Sequence, residues 1–252
     1  GWVNLEANYT RSKSLTDASG TQTGGDATNR NAKTDRPYDP RAIELNKSLQ
    51  YTDYPNIANI VATVDLPFGK GKALLAGNSL LDKFVGGWTV SFTGSYANGA
   101  LALLNAPYTY PQWGFEYGRK RVNLVSGKAI RTNISRGDLD PRDLTKRWWN
   151  TDFFTIPGTF ELGNAPLYIN ELRDPNTYND NMGFIKRTRV TESVNVELRA
   201  EFFNIFNRTN FGIGGTPIRP NVVDTAATGR FGVTGGPRTG ARSGQMALKI
   251  NF

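Results

Sequence analysis

Asp174, Asn176, Asn179, Asp180 and Asn181 crowd side-chain oxygens into one short stretch. Hard oxygen donors of this kind are what a calcium ion needs. Their spacing is not that of an EF-hand loop, and a plain polar loop explains them better. Trp113, Tyr117, Trp148 and Trp149 offer aromatic planes that could stack a ligand, although such residues more often pack a long loop. Gly212–Gly215 and Gly232–Gly236 are glycine runs. A phosphate cradle made from such a run needs a strand before it and a helix after it, and no helical pattern follows either one.

The chain has neither Cys nor His. Disulfides, thiolate metal sites and Cys nucleophiles are thereby excluded, and the usual general base and most zinc sites go with the histidines. No acids are paired well enough to name a hydrolytic couple. The sequence assigns no catalytic residue, no cofactor and no metal ligand, and it reads as a protein that is not an enzyme.

If chemistry does not identify the chain, its elements must. Its 252 residues suffice for one large all-β domain or two smaller ones, with 21% charged residues and a mean hydropathy of −0.46. The longest apolar stretches, such as Ala100–Leu104, fall far short of the 18 or so residues of a spanning helix. A lipid-facing strand, however, needs apolar residues only at alternate positions.

That alternation recurs along the chain. Val3, Leu5, Ala7 and Tyr9 oppose Asn4, Glu6, Asn8 and Thr10. Ala58, Ile60, Ala62, Val64 and Leu66 define a second strand from about 56 to 66. Trp88, Val90, Phe92 and Tyr96 define a third over 88–97, with Gly94 on its apolar side. A fourth near 180–186 puts Met182 and Phe184 outward. In the fifth, Val194, Val196, Leu198, Ala200 and Phe202 alternate with Asn195, Glu197, Arg199 and Glu201. The last, about 243–252, carries Met246, Leu248, Ile250 and Phe252 on one face. A period of two means a strand with one apolar face. Leu74–Val85 suggests a short helical turn, and 98–178 leaves room for further hairpins that the pattern does not place.

Two solvents can meet such a face. If it is lipid, the strands form a transmembrane barrel wall whose polar face lines the lumen; if it is protein, they form a soluble sandwich. Three features favour lipid. A terminal strand closing on an aromatic is what outer-membrane barrels use for closure and recognition by the assembly machinery. The connections after the first, third and fifth strands are long, those after the second and fourth shorter, as expected for outer loops and periplasmic turns. Ten residues at about 3.3 Å, tilted near 45°, span about 23 Å, close to the apolar band of about 25 Å. The lipid-facing set is then Val194, Val196, Leu198, Ala200 and Phe202, and the lumen-facing set Asn195, Glu197, Arg199 and Glu201. Met246, Leu248, Ile250 and Phe252 form the assembly signal, and the C-terminus lies in the periplasm. Gly1-Trp2-Val3-Asn4 carries no leader pattern and starts within a strand, so the chain reads as the C-terminal piece of something longer.

Certain motifs carry a family resemblance. Leu66-Pro67-Phe68-Gly69-Lys70-Gly71-Lys72, followed by Gly86-Gly87-Trp88, resembles a strand–turn–strand of TonB-dependent outer-membrane receptors, and is most similar to the Oar-like branch. Arg199-Ala200-Glu201-Phe202-Phe203-Asn204-Ile205-Phe206-Asn207-Arg208-Thr209-Asn210-Phe211-Gly212 resembles that branch's penultimate strand and the loop after it. Asn8–Ser14 and Gly229-Arg230-Phe231-Gly232 are consistent with it. The resemblance implies a plugged barrel of about 22 strands, energised by TonB through a box near the N-terminus. This chain, 1–252, would supply about the last six strands and their long outer loops, without plug or TonB box.

The partners expected are outer-membrane lipid and lipopolysaccharide, the barrel-assembly machinery, the TonB complex through the missing N-terminal part, and an unidentified solute. The net charge of +8 is concentrated in 119–147 and 208–242. It suits solvated loops or an anion such as a lipopolysaccharide phosphate. No nucleic-acid motif accompanies it. Two other classes stay open: a structural or adhesive barrel that moves nothing, and a secreted β-sandwich binding glycans through loop tryptophans.

Overall fold

Six strands carry the period-two pattern, and all six pair into one antiparallel sheet in chain order. They are β1 (Val3–Arg11), β2 (Asn56–Asp65), β3 (Trp88–Ala97), β4 (Thr177–Arg189), β5 (Asn195–Phe203) and β6 (Ser243–Asn251). These come from a computed structural model that describes residues 2–16, 47–69, 72–74, 84–103, 122–155, 157, 163–166, 168–213 and 231–252. The described sheet does not close on itself: β1 and β6 are its two edges.

The register aligns the faces strand by strand. Leu5, Ala62, Phe92, Met182 and Phe202 form one continuous row. Asn4, Thr63, Ser91, Gly183, Glu201 and Gln245 form a row of the opposite face. A slip of one residue at any pairing would have mixed the two faces.

No described element covers the apolar face. Leu5, Leu248 and Met246 are 64%, 65% and 75% exposed. The main hydrophobic core instead lies among the long connections at one end of the sheet. There Trp148, Trp149, Phe153 and Phe154 pack with Leu172, Ile213 and Phe231. The connections 98–176 and 204–242 interlock: Arg147 bridges Val233, and the Trp148 N–H donates to the Gly232 carbonyl at 2.7 Å. Leu101–Leu103 pairs with Tyr168–Arg173, and Asn123–Leu124 with Phe154–Thr155, so the hairpins of this region are short and serve the loop core. A sandwich would bury the sheet's own apolar face; this fold buries its loops.

β4 extends well beyond the 180–186 expected from its sequence. Two charged residues at apolar-face positions hide its period, and both meet partners that come from a distance. Tyr96 donates its hydroxyl to Asp180 Oδ1 at 2.6 Å, and Arg208 Nη1 lies 3.3 Å from Asp180 Oδ2. At the other end of β4, Lys186 Nζ donates to the carbonyls of Phe84 and Gly86 at 2.9 and 2.7 Å, over the Trp88 ring. Its apolar stem covers the face while its charge reaches the edge.

The Gly86-Gly87-Trp88 motif has a physical reason here. Gly87 has φ +74°, and a Cβ on it would meet the Arg187 carbonyl. Only glycine fits both demands. Of the expected helical turn, Phe84 and Val85 are helical, and 75–83 lie outside the described residues.

Candidate functional site

The polar face is built in two zones. On β4, β5 and β6 it carries a charge lattice that runs from Arg187 near the short turn to Glu201 near the long-loop end. Glu197 accepts from Arg187 at 2.9 Å and from Arg199 at 2.8 Å, and Glu201 accepts from Gln245 at 2.5 Å. These groups are solvent-accessible, so each pair contributes little alone; the lattice orders long side chains along the wall.

On the long-loop halves of β1 to β4 the polar face carries mostly neutral amides and hydroxyls, with the Asn8 NH2 donating to Glu6 at 2.9 Å. Asn8, Asn59, Ser95 and Asn179 sit side by side on four neighbouring strands, and Ser95 Oγ donates to Asn59 Oδ1 at 2.9 Å. One rung away lie Thr93 and Asn181, and Phe203 opposite Ser243. A cavity of about 550 Å³ opens there, between the sheet and the turn that follows β5. A second cavity of about 550 Å³ lies between the first connection and Tyr168–Glu171, with Arg11, Lys13 and Lys47 on its wall.

The loops over this wall are held by buried ions. Arg173 donates Nη2 to Asp53 Oδ2 at 2.5 Å and Nη1 to the Asp53 carbonyl at 2.6 Å, with Asp53 only 1% exposed. The Ser14 N–H donates to Asp53 Oδ1 at 2.6 Å. The Arg173 carbonyl accepts both indole N–H groups, Trp148 at 2.8 Å and Trp149 at 3.3 Å. One residue thereby ties the first connection to the loop core. Nothing local in the sequence marks Asp53 and Arg173 as partners.

Asp174 makes the second tie. Its carboxylate accepts from the Ile213 N–H at 3.1 Å and pairs with Arg238 at 2.9 Å. Burial outweighs the Arg238 charge and the hydrogen bond, and raises its pKa from 3.8 to about 6. An acid whose pKa rises on folding favours the folded state when protonated. Its contribution is full below the unfolded value of 3.8 and is lost as pH rises through about 6. Asp174→Asn is therefore expected to lose part of the wild type's dependence of loop melting on pH between about 4 and 7. Melting curves of the two proteins with identical pH slopes would contradict this.

The oxygen-rich stretch does not converge. Asn179 and Asn181 lie on the polar face beside Ser95 and Thr93, whereas Asp180 points to the other face and Asp174 is bound by Arg238. Among the described residues no cluster of three acids fit for a metal is found. Trp148 and Trp149 are buried in the loop core, with the Arg131 guanidinium 3.3 Å from the Trp148 ring centroid. Trp113, Tyr117, Gly214–Gly215 and Gly229-Arg230 lie outside the described residues. No helix follows Gly232–Gly236, which runs into a short strand, Thr234–Pro237.

Val196, Leu198, Ala200 and Phe202 share one face with Ile250, Leu248 and Met246, while Asn195, Glu197, Arg199 and Glu201 share the other. Val194 precedes β5 and closes the turn, its carbonyl accepting the Val190 N–H at 2.9 Å. Phe252 follows β6 and is fully accessible.

A protein-family model described as an outer membrane beta barrel domain matches residues 1–245. No curated protein and no solved structure matches the chain.

Proposed function

We propose, from the premise that the chain belongs to the outer membrane beta barrel domain family, that it is the wall and outer loops of a TonB-dependent, Oar-like receptor. Such a receptor takes up a scarce solute across the outer membrane. The observation that carries the reading is the sheet's uncovered apolar face, continuous over six strands, with the buried core displaced into loops at one end. An exposed apolar sheet of this extent is stable only where hydrocarbon covers it. In this reading Val194, Val196, Leu198, Ala200 and Phe202 meet lipid. Asn195, Glu197, Arg199 and Glu201 line the lumen, the long connections are extracellular and the C-terminus is periplasmic.

The motif residues support the finer assignment by their placement. Leu66-Pro67-Phe68-Gly69 and Gly86-Gly87-Trp88 frame one short-end connection, with the Leu66 N–H donating to the Trp88 carbonyl at 2.8 Å. Arg199–Gly212 runs from the wall into the turn that borders the neutral cavity.

Deleting the gene from its host, and separately removing TonB, tests the reading through growth on scarce nutrients. Both strains are expected to lose the same uptake. An outer-membrane protein whose loss changes no TonB-dependent uptake would instead be a structural or adhesive barrel. The interlocked loop core at one end of the sheet is the observation that favours that second reading.

A further inference from the structure

We infer that the neutral zone of the polar face is a binding site for an uncharged oligosaccharide; this rests on the reading of that face as the lumen wall. The cavity there has about 550 Å³, within the range of small-ligand sites. Its described lining contains no carboxylate, and its one guanidinium, Arg238, is already paired with Asp174 at 2.9 Å. Within that lining a charged solute finds no unpaired counter-charge, since the Glu201 carboxylate, two residues before Phe203, is engaged by Gln245 at 2.5 Å, and it would lose hydration without return.

What the wall does offer is neutral and bidirectional. Asn179 is exposed; Asn181 accepts from the Asn204 N–H at 3.1 Å, and its NH2 makes only a long contact to Thr93, at 3.5 Å. An amide presents donors and an acceptor together, which matches the paired hydroxyls of a sugar ring. Beside them stands Phe203, 43% exposed on the same face. Its ring is a platform for the C–H face of a sugar, a contact that removes apolar surface from water. Asn8 and Asn59 continue the row across two further strands, giving a track longer than one sugar unit.

The rim is fixed before any ligand arrives. Asn204 adopts φ 52°, its amide bound to the Arg208 N–H and to the Arg208 and Gly240 carbonyls at 2.8, 3.0 and 3.2 Å. Asn210 is clamped to both backbone groups of Tyr178, at 3.0 and 2.7 Å. A rigid rim lowers the ordering cost of binding.

The test is calorimetric titration of the full-length protein in detergent micelles with cellohexaose, xylohexaose, hexagalacturonate and hexaglycine. At least one neutral saccharide is expected to bind at least about tenfold more tightly than the acidic saccharide and the peptide, tenfold being about 1.4 kcal/mol. Phe203→Ala and Asn179→Ala should each weaken that binding about tenfold, Phe203→Trp should keep it, and Thr63→Ala, away from the cavity, should leave it unchanged. Heat-modifiable gel mobility verifies assembly; if Phe203→Ala does not assemble, Asn179→Ala and Phe203→Trp decide. Absence of neutral-saccharide binding, preference for the acid or the peptide, or wild-type affinity in Asn179→Ala would overturn the site. TonB-dependent uptake without saccharide binding overturns this inference alone. Saccharide binding without TonB-dependent uptake overturns only the transport reading.

Discussion

Arg173→Met is expected to destabilise the folded protein by about 3–5 kcal/mol, the cost of leaving a buried charge without its partner. Asp53 is 1% exposed and receives two hydrogen bonds from Arg173 and one from the Ser14 N–H. Removing the guanidinium strands a carboxylate that is 1% exposed. The effect should be concentrated in the loops, because Arg173 also accepts from Trp148 and Trp149 through its carbonyl, and a disturbed backbone there loosens the loop core. Asp53→Asn combined with Arg173→Met should recover part of the loss, since the pair in isolation is worth less than either orphan costs. Denaturant melts of the micellar protein measure both. A loss under about 1 kcal/mol for Arg173→Met would mean that the buried pair does not hold the loops.

Leu198→Arg is expected to cost about 2–4 kcal/mol, the penalty for a guanidinium on the lipid face near mid-bilayer. Leu198 lies in the middle of β5, between Lys186 and Leu248 in the register. Lys186 reaches the carbonyls of Phe84 and Gly86 at the short-turn end of the sheet, partners on the β3 side of β4, away from Leu198 on β5. Thr93→Arg makes a comparable change on the opposite face, next to Val61 and Asn181. On the transport reading the new charge there meets lumen water and should cost little. Equal penalties at the two positions in refolding into lipid vesicles would remove the distinction between the faces on which the transport reading stands.

The wall was legible in the residues because a strand's side chains alternate regardless of what surrounds them. β1, β2, β3, β5 and β6 follow from their patterns almost to the residue. β4 did not, because Asp180 and Lys186 occupy apolar-face positions and are met there by Tyr96, Arg208 and two distant carbonyls. A pattern within one strand cannot register partners that arrive from elsewhere. The connection 98–176 was opaque for the same reason: its strands are two to six residues long and its order comes from Trp148, Trp149 and Phe231 packing across separate loops.

The candidate site divides in the same manner. Asn179 and Asn181 were visible only within an oxygen-rich stretch that reads best as a plain polar loop, and Phe203 only within the Arg199–Gly212 motif. Register separated that stretch, sending Asp180 to one face and its two amide neighbours to the other. By itself the sequence determined the period of two, hence the two faces, and the absence of His and Cys chemistry. The tertiary structure alone decided that the apolar face lies bare while the loops own the core, and which side chains meet over the neutral cavity. The physical reason is range. Alternation is set by the bonds between adjacent residues, whereas burial and charge pairing are set by contacts between residues as far apart as Asp53 and Arg173.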